Sequence, residues 1–393
     1  MVASGGSVEN GFEGVRDAFL AAQAGDAGGA QLCVYRYGAK VVDLWAGDPP
    51  FADDSLAVLM SCSKGVTATL AHMLADRGRL DLDAPVARYW PDFAQNGKDG
   101  ITVAHLLTHS SGLVNFDADS GFVVEDMCDW DKCVGLIERM APLWEPGTAY
   151  SYHALTYGFL VGEVIRRITG KRIGAVLEDE IAKPLGVALW MGLPEREEHR
   201  VAPHFLPGKP PRMERLIARQ KELGVDFDNR LGRAMEAQTL RTFPDFDVLN
   251  TRRAHAAEIP AGGAIGNARA LAKMYAAAIG TVDGVRLFSD AAMERARTPG
   301  APLMPPGDFA RLPGAVAARP ALGYMLSSPV VPMLGKGSFG HPGAGGRLGF
   351  AHPESGTAVG YNCNNMLWDS MSVDPRWIGW TAALRTAIGM EAA

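Results

Sequence analysis

Two features are missing from this chain of 393 residues: a cluster of basic side chains and a long apolar run. Lys and Arg number 38 against 44 Asp and Glu, which gives a formal net charge of −6. Because nucleic-acid binding needs a basic patch, we expect no nucleic-acid partner. No stretch approaches the roughly 18 consecutive apolar residues of a membrane span, so we expect no membrane partner.

Cysteine is scarce as well, with 5 scattered residues and no C-x-x-C pair. An odd, scattered set makes a disulfide framework or a zinc site unexpected. His105 and His109 lie four residues apart but lack the glutamate of an H-E-x-x-H motif, so we interpret them as structural. We expect neither a metal nor another cofactor. Residues 1–14 show neither the basic nor the apolar segment of a secretory signal, which favours a cytoplasmic location.

What is present is the composition of a globular enzyme, with 47% apolar and 21% charged residues. The 46 glycines and 25 prolines follow no period and therefore indicate many turns. Apolar periodicity predicts a β-hairpin over 31–45, four strands between 322 and 363, and helices over 9–23, 61–76, 102–108, 155–169, 268–279 and 376–388. The strands thus lie at both ends of the chain, with helices between them.

This order of elements predicts an α+β fold. The strands of both chain termini would form one antiparallel sheet flanked by helices, and the centre would form a mostly α-helical domain. We predict a sheet domain of residues 1–60 and 301–393 and a helical domain of residues 61–300. The functional site is expected at the seam between them. The loop-rich segment 200–258 is expected near this cleft.

The strongest chemical signal is the pattern Ser61-Cys62-Ser63-Lys64 (S-x-x-K), which follows an apolar run and opens a helix. Three residues are nearly one helical turn, so the Ser61 hydroxyl and the Lys64 amine lie on one face. A serine hydroxyl becomes a good nucleophile when a base accepts its proton. Lysine can be that base if burial or neighbouring cations lower its pKa. The pattern therefore predicts a nucleophile and its base.

Two further segments carry unusual residues. Tyr152 lies in a loop before a helix, where a phenol could pass a proton between Ser61, Lys64 and a leaving alcohol. The segment 339–350 is rich in glycine for a strand, which indicates close approach by a ligand or another backbone. Its Pro342 cannot donate to a sheet, so we predict an edge strand whose N–H at residue 344 is free and faces the cleft.

In this order and spacing, the three segments resemble the serine β-lactamase and penicillin-binding-protein superfamily. The resemblance covers nearly the whole chain and includes ITVAHLLTHSSGL at 101–113 and PAGG at 260–263. The PAGG segment and the S-x-x-K pattern both lie in the predicted helical block. The fold that this resemblance implies is β-lactamase-like, in agreement with the pattern of strands and helices. No G-x-S-x-G motif occurs, which disfavours an α/β-hydrolase.

The resemblance also implies roles for individual residues. Ser61 would be the acylated nucleophile, Lys64 its base partner and Tyr152 the tyrosine of the family's Y-x-N element. The segment 341–343, with His341 and Gly343, would occupy the K-T-G position and bind substrate. The oxyanion hole would be the N–H groups of Ser61 and Ala344, which agrees with the edge-strand argument.

Three positions depart from the β-lactamase pattern. Ala154 stands where Y-x-N has an asparagine that contacts the acylamido group of the drug. His341, expected to be partly charged near neutral pH, replaces a lysine that binds the drug's carboxylate. Arg347 replaces a small polar residue, and we expect it to be solvated on its strand. With Tyr152 retained, this pattern resembles the family VIII carboxylesterases, the esterase branch of the superfamily.

The sequence thus predicts a serine esterase that hydrolyses small neutral carboxylic esters through an acyl-serine intermediate. A β-lactamase or D-Ala-D-Ala peptidase is the first alternative, although its substrates lie outside the cytoplasm. An acyltransferase would use the same site and pass the acyl group to an alcohol instead of water. A non-catalytic protein of the penicillin-binding fold is a fourth interpretation, which the retention of Ser61, Lys64 and Tyr152 disfavours.

Overall fold

A computed structural model describes residues 3–48, 51–206, 212–238, 246–367 and 372–390 of the chain. Its strands are β1 Ser4–Val8, β2 Ala30–Arg36, β3 Ala39–Ala46, β4 Ala57–Val58, β5 Leu189–Met191, β6 Ala264–Gly266, β7 Met325–Leu326, β8 Phe339–Gly343, β9 Arg347–His352 and β10 Thr357–Cys363. Its α-helices are α1 Glu13–Gln23, α2 Cys62–Asp76, α3 Val103–Leu107, α4 Trp130–Arg139, α5 Thr156–Thr169, α6 Ile173–Leu177, α7 Lys183–Leu185, α8 Arg212–Glu222, α9 Arg230–Ala237, α10 Arg252–Ala256, α11 Ala268–Ile279, α12 Asp290–Arg297 and α13 Pro375–Ala387.

The larger sheet has seven antiparallel strands in the order β1-β3-β2-β10-β9-β8-β7. Strands from both chain termini meet at its centre, where Val34 of β2 pairs with Val359 of β10. The α+β fold class predicted from the sequence is therefore confirmed. The hairpin predicted over 31–45 is present as β2 and β3.

Helices cover both faces of this sheet, because successive side chains of a strand point to opposite faces and apolar side chains occur on both. On one face, Leu32 and Val34 lie in an apolar cluster with Phe19 of α1 and Trp380 of α13. On the other face, the intervening Cys33 belongs to the core that also contains α2, α5 and α11. Burial on both faces fixes the register of β2, since a one-residue slip would exchange the two sets.

Three features differ from the sequence patterns. β1 is a glycine- and serine-rich, largely exposed edge strand, so it has no apolar alternation to detect. A second sheet of three short strands, in the order β4-β6-β5, has two of its strands, β5 and β6, within the block expected to be mostly helical. The described part of 200–258 contains α8, α9 and α10. Strands of two or three residues are too short for periodicity to predict.

The strand that carries Pro342 is not the edge strand that the sequence suggested. β7 lies beyond β8, but it pairs only with Phe339 and Gly340. From His341 onward, β8 therefore has β9 as its strand partner and an open side. The expectation was wrong for the strand but holds for the part of it that faces the site. None of the helices in the described ranges has the length and apolar character to cross a bilayer.

Candidate active site

Ser61 lies at the start of α2, where β4 of the small sheet turns into the helix. The preceding residue, Met60, has a φ of 49°, a left-handed conformation that is strained for a side chain of this kind. This turn places Ser61 at the N-terminal end of a helix whose residues 62–74 are all buried. Since α2 is packed on every side, Ser61 is held on a rigid element.

Lys64 lies one turn further along α2, with its side chain fully buried. Its Nζ is 2.8 Å from the carbonyl oxygen of Ala154 and 2.8 Å from that of Ala261. The third neighbour is the Ser61 Oγ, at 3.4 Å. A neutral amine has two N–H bonds and one lone pair. The two carbonyls accept the two hydrogens, which leaves the lone pair for the Ser61 hydroxyl.

Burial lowers the pKa of Lys64 from its ordinary value to about 7. The cause is desolvation, because the ammonium form loses its water. Among the described residues, no carboxylate acts on Lys64 to restore the ammonium form. At neutral pH a large fraction of Lys64 is therefore the free amine that a base needs to be.

This pKa predicts the pH dependence of the reaction. Below about pH 7 the amine is protonated and cannot accept the Ser61 proton, so kcat/KM should rise with pH through this value and level off above it. The measurement is a profile with a non-ionising ester between roughly pH 5 and 9. A profile that stays flat down to pH 5 would contradict Lys64 as the base.

Tyr152 completes the group, since its buried phenol faces the Ser61 hydroxyl, which acts to lower the pKa of the phenol. Lys64 Nζ lies 4.8 Å from the centre of the Tyr152 ring. Burial raises the pKa of Tyr152 well above its ordinary value, so the phenol stays protonated. Tyr152 therefore faces the Ser61 hydroxyl as Lys64 does, but it presents a proton instead of a lone pair. The structure brings together all three residues that the sequence singled out.

The loop that carries Tyr152 is fixed by Gln238, a residue that the sequence patterns missed. The Gln238 side chain accepts from the Ala154 N–H at 3.2 Å and donates to the Tyr152 carbonyl at 3.0 Å. Gln238 follows α9, in the segment that no sequence pattern placed. Ala154 itself presents a methyl group, and its backbone serves Lys64 through the carbonyl. A glutamine in a segment without a clear periodic pattern is no signal by itself.

Two neutral histidines support Tyr152 from behind. His153 Nδ1 donates to the Ser151 carbonyl at 2.6 Å, and burial lowers its pKa to about 4. His109 accepts from the His153 backbone N–H at 3.1 Å, and its ring centre lies 4.8 Å from that of Tyr152.

His105 closes a capping box with Thr102 at the start of α3. The structural role expected for His105 and His109 is therefore in agreement with their contacts.

His341 on β8 differs from the expectation of partial charge. Burial and the neighbouring Lys64 lower the pKa of His341 to about 3, so the ring is neutral near pH 7. Its Nδ1 lies 2.7 Å from the Pro342 carbonyl, which only accepts, so Nδ1 carries the hydrogen. Nε2 is then an acceptor, and it has no hydrogen-bond partner in the described part of the chain. The position of the family's lysine is thus occupied by an uncharged acceptor.

Gly343 shows why the end of β8 is rich in glycine. A Cβ at Gly343 would lie 2.5 Å from the Leu59 carbonyl oxygen and 3.3 Å from the Cys62 sulfur. The strand therefore approaches the residues beside Ser61 as closely as backbone allows. The backbone N–H groups of Ser61 and Ala344 donate no hydrogen bond within the described ranges. Both are available for an oxyanion.

Arg347 is not the solvated strand residue that the sequence suggested. Its side chain is fully buried. Nε donates to the Val58 carbonyl at 3.2 Å and Nη1 to the Ala344 carbonyl at 2.9 Å. The expectation was wrong because the β8–β9 turn folds over this side chain instead of exposing it.

The described residues contain no group of His, Cys, Asp or Glu that could hold a metal ion. All five cysteines are free. Ser61 and Lys64 come from the start of α2, Tyr152 comes from the loop before α5, and the glycine-rich strand comes from the large sheet.

The beta-lactamase family profile matches residues 15–382, so the chain belongs to the beta-lactamase family. The chain is 34% identical over 366 residues to the esterase/beta-lactamase LipL of Mycobacterium tuberculosis, which covers 86% of this chain and 78% of that protein. It is also 34% identical over 192 residues to esterase EstB of Burkholderia gladioli, covering 45% of this chain and 48% of EstB.

Solved structures give the same assignment. The fold matches that of a family VIII carboxylesterase with a TM-score of 0.84 and 31% identity, covering 98% of this chain and all of the other. EstA from Arthrobacter nitroguajacolicus matches with a TM-score of 0.82 and 29% identity, covering 98% of this chain and 99% of EstA. These findings confirm the resemblance to the family VIII carboxylesterases that the sequence motifs predicted.

Proposed function

We propose that this protein hydrolyses small neutral carboxylic esters through an acyl intermediate on Ser61. The enzyme class predicted from the sequence, a serine hydrolase of the carboxylesterase type, is supported by its relatives. The observation that carries the proposal is the position of Lys64 Nζ, 3.4 Å from Ser61 Oγ with its other two neighbours both carbonyls. A buried neutral amine in that position has its lone pair free to receive the serine proton.

The reaction then follows from these contacts. Lys64 takes the proton of Ser61 as its oxygen attacks the ester carbonyl, and the N–H groups of Ser61 and Ala344 bind the resulting oxyanion. Tyr152 gives its proton to the leaving alcohol and recovers one from the Lys64 ammonium. Water then attacks the acyl group, and the same groups act in reverse. Ser61 is released with its proton.

We place His341, Gly343 and Ala154 around the substrate. The chemical character of His341 and Ala154 then indicates which class of substrate fits. Neutral His341 offers an acceptor where a β-lactam or a D-Ala peptide needs a cation for its carboxylate. Ala154 offers no side-chain hydrogen bond to an acylamido group. A neutral ester requires neither contact, so the site favours it.

We therefore expect esters to be turned over far better than β-lactams. Loss of a hydrogen bond to a charged group costs about 1.5–3 kcal/mol and of a neutral one about 1 kcal/mol. Together they lower β-lactam kcat/KM by roughly 10²–10³-fold relative to a dedicated β-lactamase. The measurement compares p-nitrophenyl acetate, butyrate and decanoate with nitrocefin and a penicillin. A penicillin hydrolysed as well as butyrate would favour the cell-wall enzyme instead.

The remaining predictions concern the setting of the enzyme. Its partner is a small-molecule ester, and we propose a cytoplasmic location, which free thiols at all five cysteines suit. We also propose that the sheet domain of 1–60 and 301–393 and the helical domain of 61–300 meet at the site, with segment 200–258 beside it. The Gln238 contacts to Tyr152 and Ala154 support this last placement.

A further inference from the structure

The turn between β8 and β9 is held from behind by side-chain donors at three successive carbonyls. Arg347 Nη1 donates to the Ala344 carbonyl at 2.9 Å, and Arg376 Nη2 donates to that of Gly345. Trp377 Nε1 donates to the Gly346 carbonyl at 2.8 Å. These bonds draw the carbonyl groups of the turn toward the protein interior.

Arg347 differs from the other two donors because it reaches a second strand. While Nη1 holds Ala344, Nε donates to the Val58 carbonyl at 3.2 Å. Val58 ends β4, and Ser61 follows three residues later. One rigid guanidinium therefore connects the backbone segments that carry both N–H groups of the proposed oxyanion hole. The planar fork of arginine fixes the direction of both bonds at once.

The charge of Arg347 is also unusual. The side chain is completely buried, and burial lowers its pKa from the ordinary value, but a guanidinium in a protein stays protonated. No carboxylate forms an ion pair with it among the described residues. Arg376, by contrast, pairs with Asp26 and Asp374. An unpaired cation in a dry interior interacts strongly with any negative charge that develops nearby.

We propose that Arg347 is a positioning residue of the oxyanion hole, which sets the distance between the Ser61 and Ala344 amides and adds positive potential there. This inference rests on the proposed acyl-serine mechanism. Since the oxyanion exists only in the transition state and intermediate, the contribution of Arg347 falls on kcat and leaves substrate binding unchanged. An arginine with only a structural role would change stability without a selective effect on kcat.

The test compares three variants of the full chain. Arg347→Met removes the charge and both bonds, and Arg347→Lys keeps the charge but spans only one carbonyl. Trp377→Phe is the matched control, because it removes one donor from the same turn without touching Ala344 or Val58. Each variant is assayed for kcat and KM with p-nitrophenyl butyrate, for thermal stability, and for inhibition by phenylboronic acid, whose tetrahedral serine adduct mimics the oxyanion.

For Arg347→Met we expect kcat to fall roughly 10- to 100-fold with KM unchanged. This loss is smaller than the loss of about 10²–10³-fold that removal of an oxyanion donor itself causes. Boronate affinity should fall by the same factor as kcat/KM. Arg347→Lys should lie between wild type and Arg347→Met, and Trp377→Phe should change only stability. Wild-type kcat and boronate affinity in Arg347→Lys would overturn the proposal, even if Arg347→Met fails to fold. An active Ser61→Ala enzyme would instead overturn the mechanism on which it rests.

Discussion

Replacing Ser61 by alanine is expected to abolish turnover. The Lys64 amine lies 3.4 Å from the Ser61 Oγ, and the Tyr152 phenol faces the same hydroxyl. Without it neither group has a nucleophile to activate. By analogy with loss of the nucleophile in other serine hydrolases, kcat should fall by about 10⁵–10⁶-fold. The measurement is kcat for p-nitrophenyl butyrate, with thermal unfolding to show that the variant is folded.

The chain offers a matched control two residues away. Ser63 is also buried on α2, but its hydroxyl donates to the Met60 carbonyl at 2.6 Å and accepts from the Ala264 N–H at 3.0 Å. Ser63→Ala should therefore lose stability by about 1–3 kcal/mol and keep the mechanism. If Ser61→Ala retained the activity of the Ser63→Ala control, the assignment of the nucleophile would be wrong.

The second large effect is a pair of losses in kcat that do not multiply when the two substitutions are combined. Lys64→Ala and Tyr152→Phe should each lower kcat by roughly 10²–10⁴-fold, the range of a general acid–base group. The double variant should be little worse than either single one, because the two residues pass one proton between Ser61 and the leaving alcohol. A double-mutant cycle on kcat measures this directly.

Tyr150→Phe is the control for that cycle. Tyr150 lies on the same loop and is packed edge-on against His109, with ring centres 6.1 Å apart. Among the described residues, Tyr150 forms no hydrogen bond or ring contact with Ser61 or Lys64. We expect its removal to change kcat little. If the losses of Lys64→Ala and Tyr152→Phe multiplied in the double variant, the two residues would act independently and the shared-proton mechanism would be wrong.

Part of the fold and site could be predicted because the signals are local. The spacing of Ser61 and Lys64 needs only the pitch of one helix, and the hairpin over 31–45 needs only alternation. Glycine is unfavourable inside a strand, so Gly343 indicates from the sequence alone that another group approaches the backbone closely there. In each case the cause lies within a few residues of the effect.

The remainder depends on contacts between distant segments. Lys64 is anchored by the carbonyl of Ala261, 197 positions away, and any residue type could supply that oxygen. Gln238 reaches Tyr152 from a helix end that no pattern distinguishes. The charge of His341 and the burial of Arg347 depend on the residues that pack over them. The sequence next to these two residues does not specify that packing. Short strands such as β4 are stabilised by the same long-range packing.

The most direct test of the central claim is the mass of the acyl-enzyme. The protein is treated with a fluorophosphonate, and in parallel with a slowly hydrolysed ester, and is analysed by intact-mass spectrometry and peptide mapping. We predict one adduct per chain, on Ser61, and none in Ser61→Ala. An adduct on Ser110, Ser111 or Ser151, or full hydrolysis without any adduct on Ser61, would contradict the mechanism.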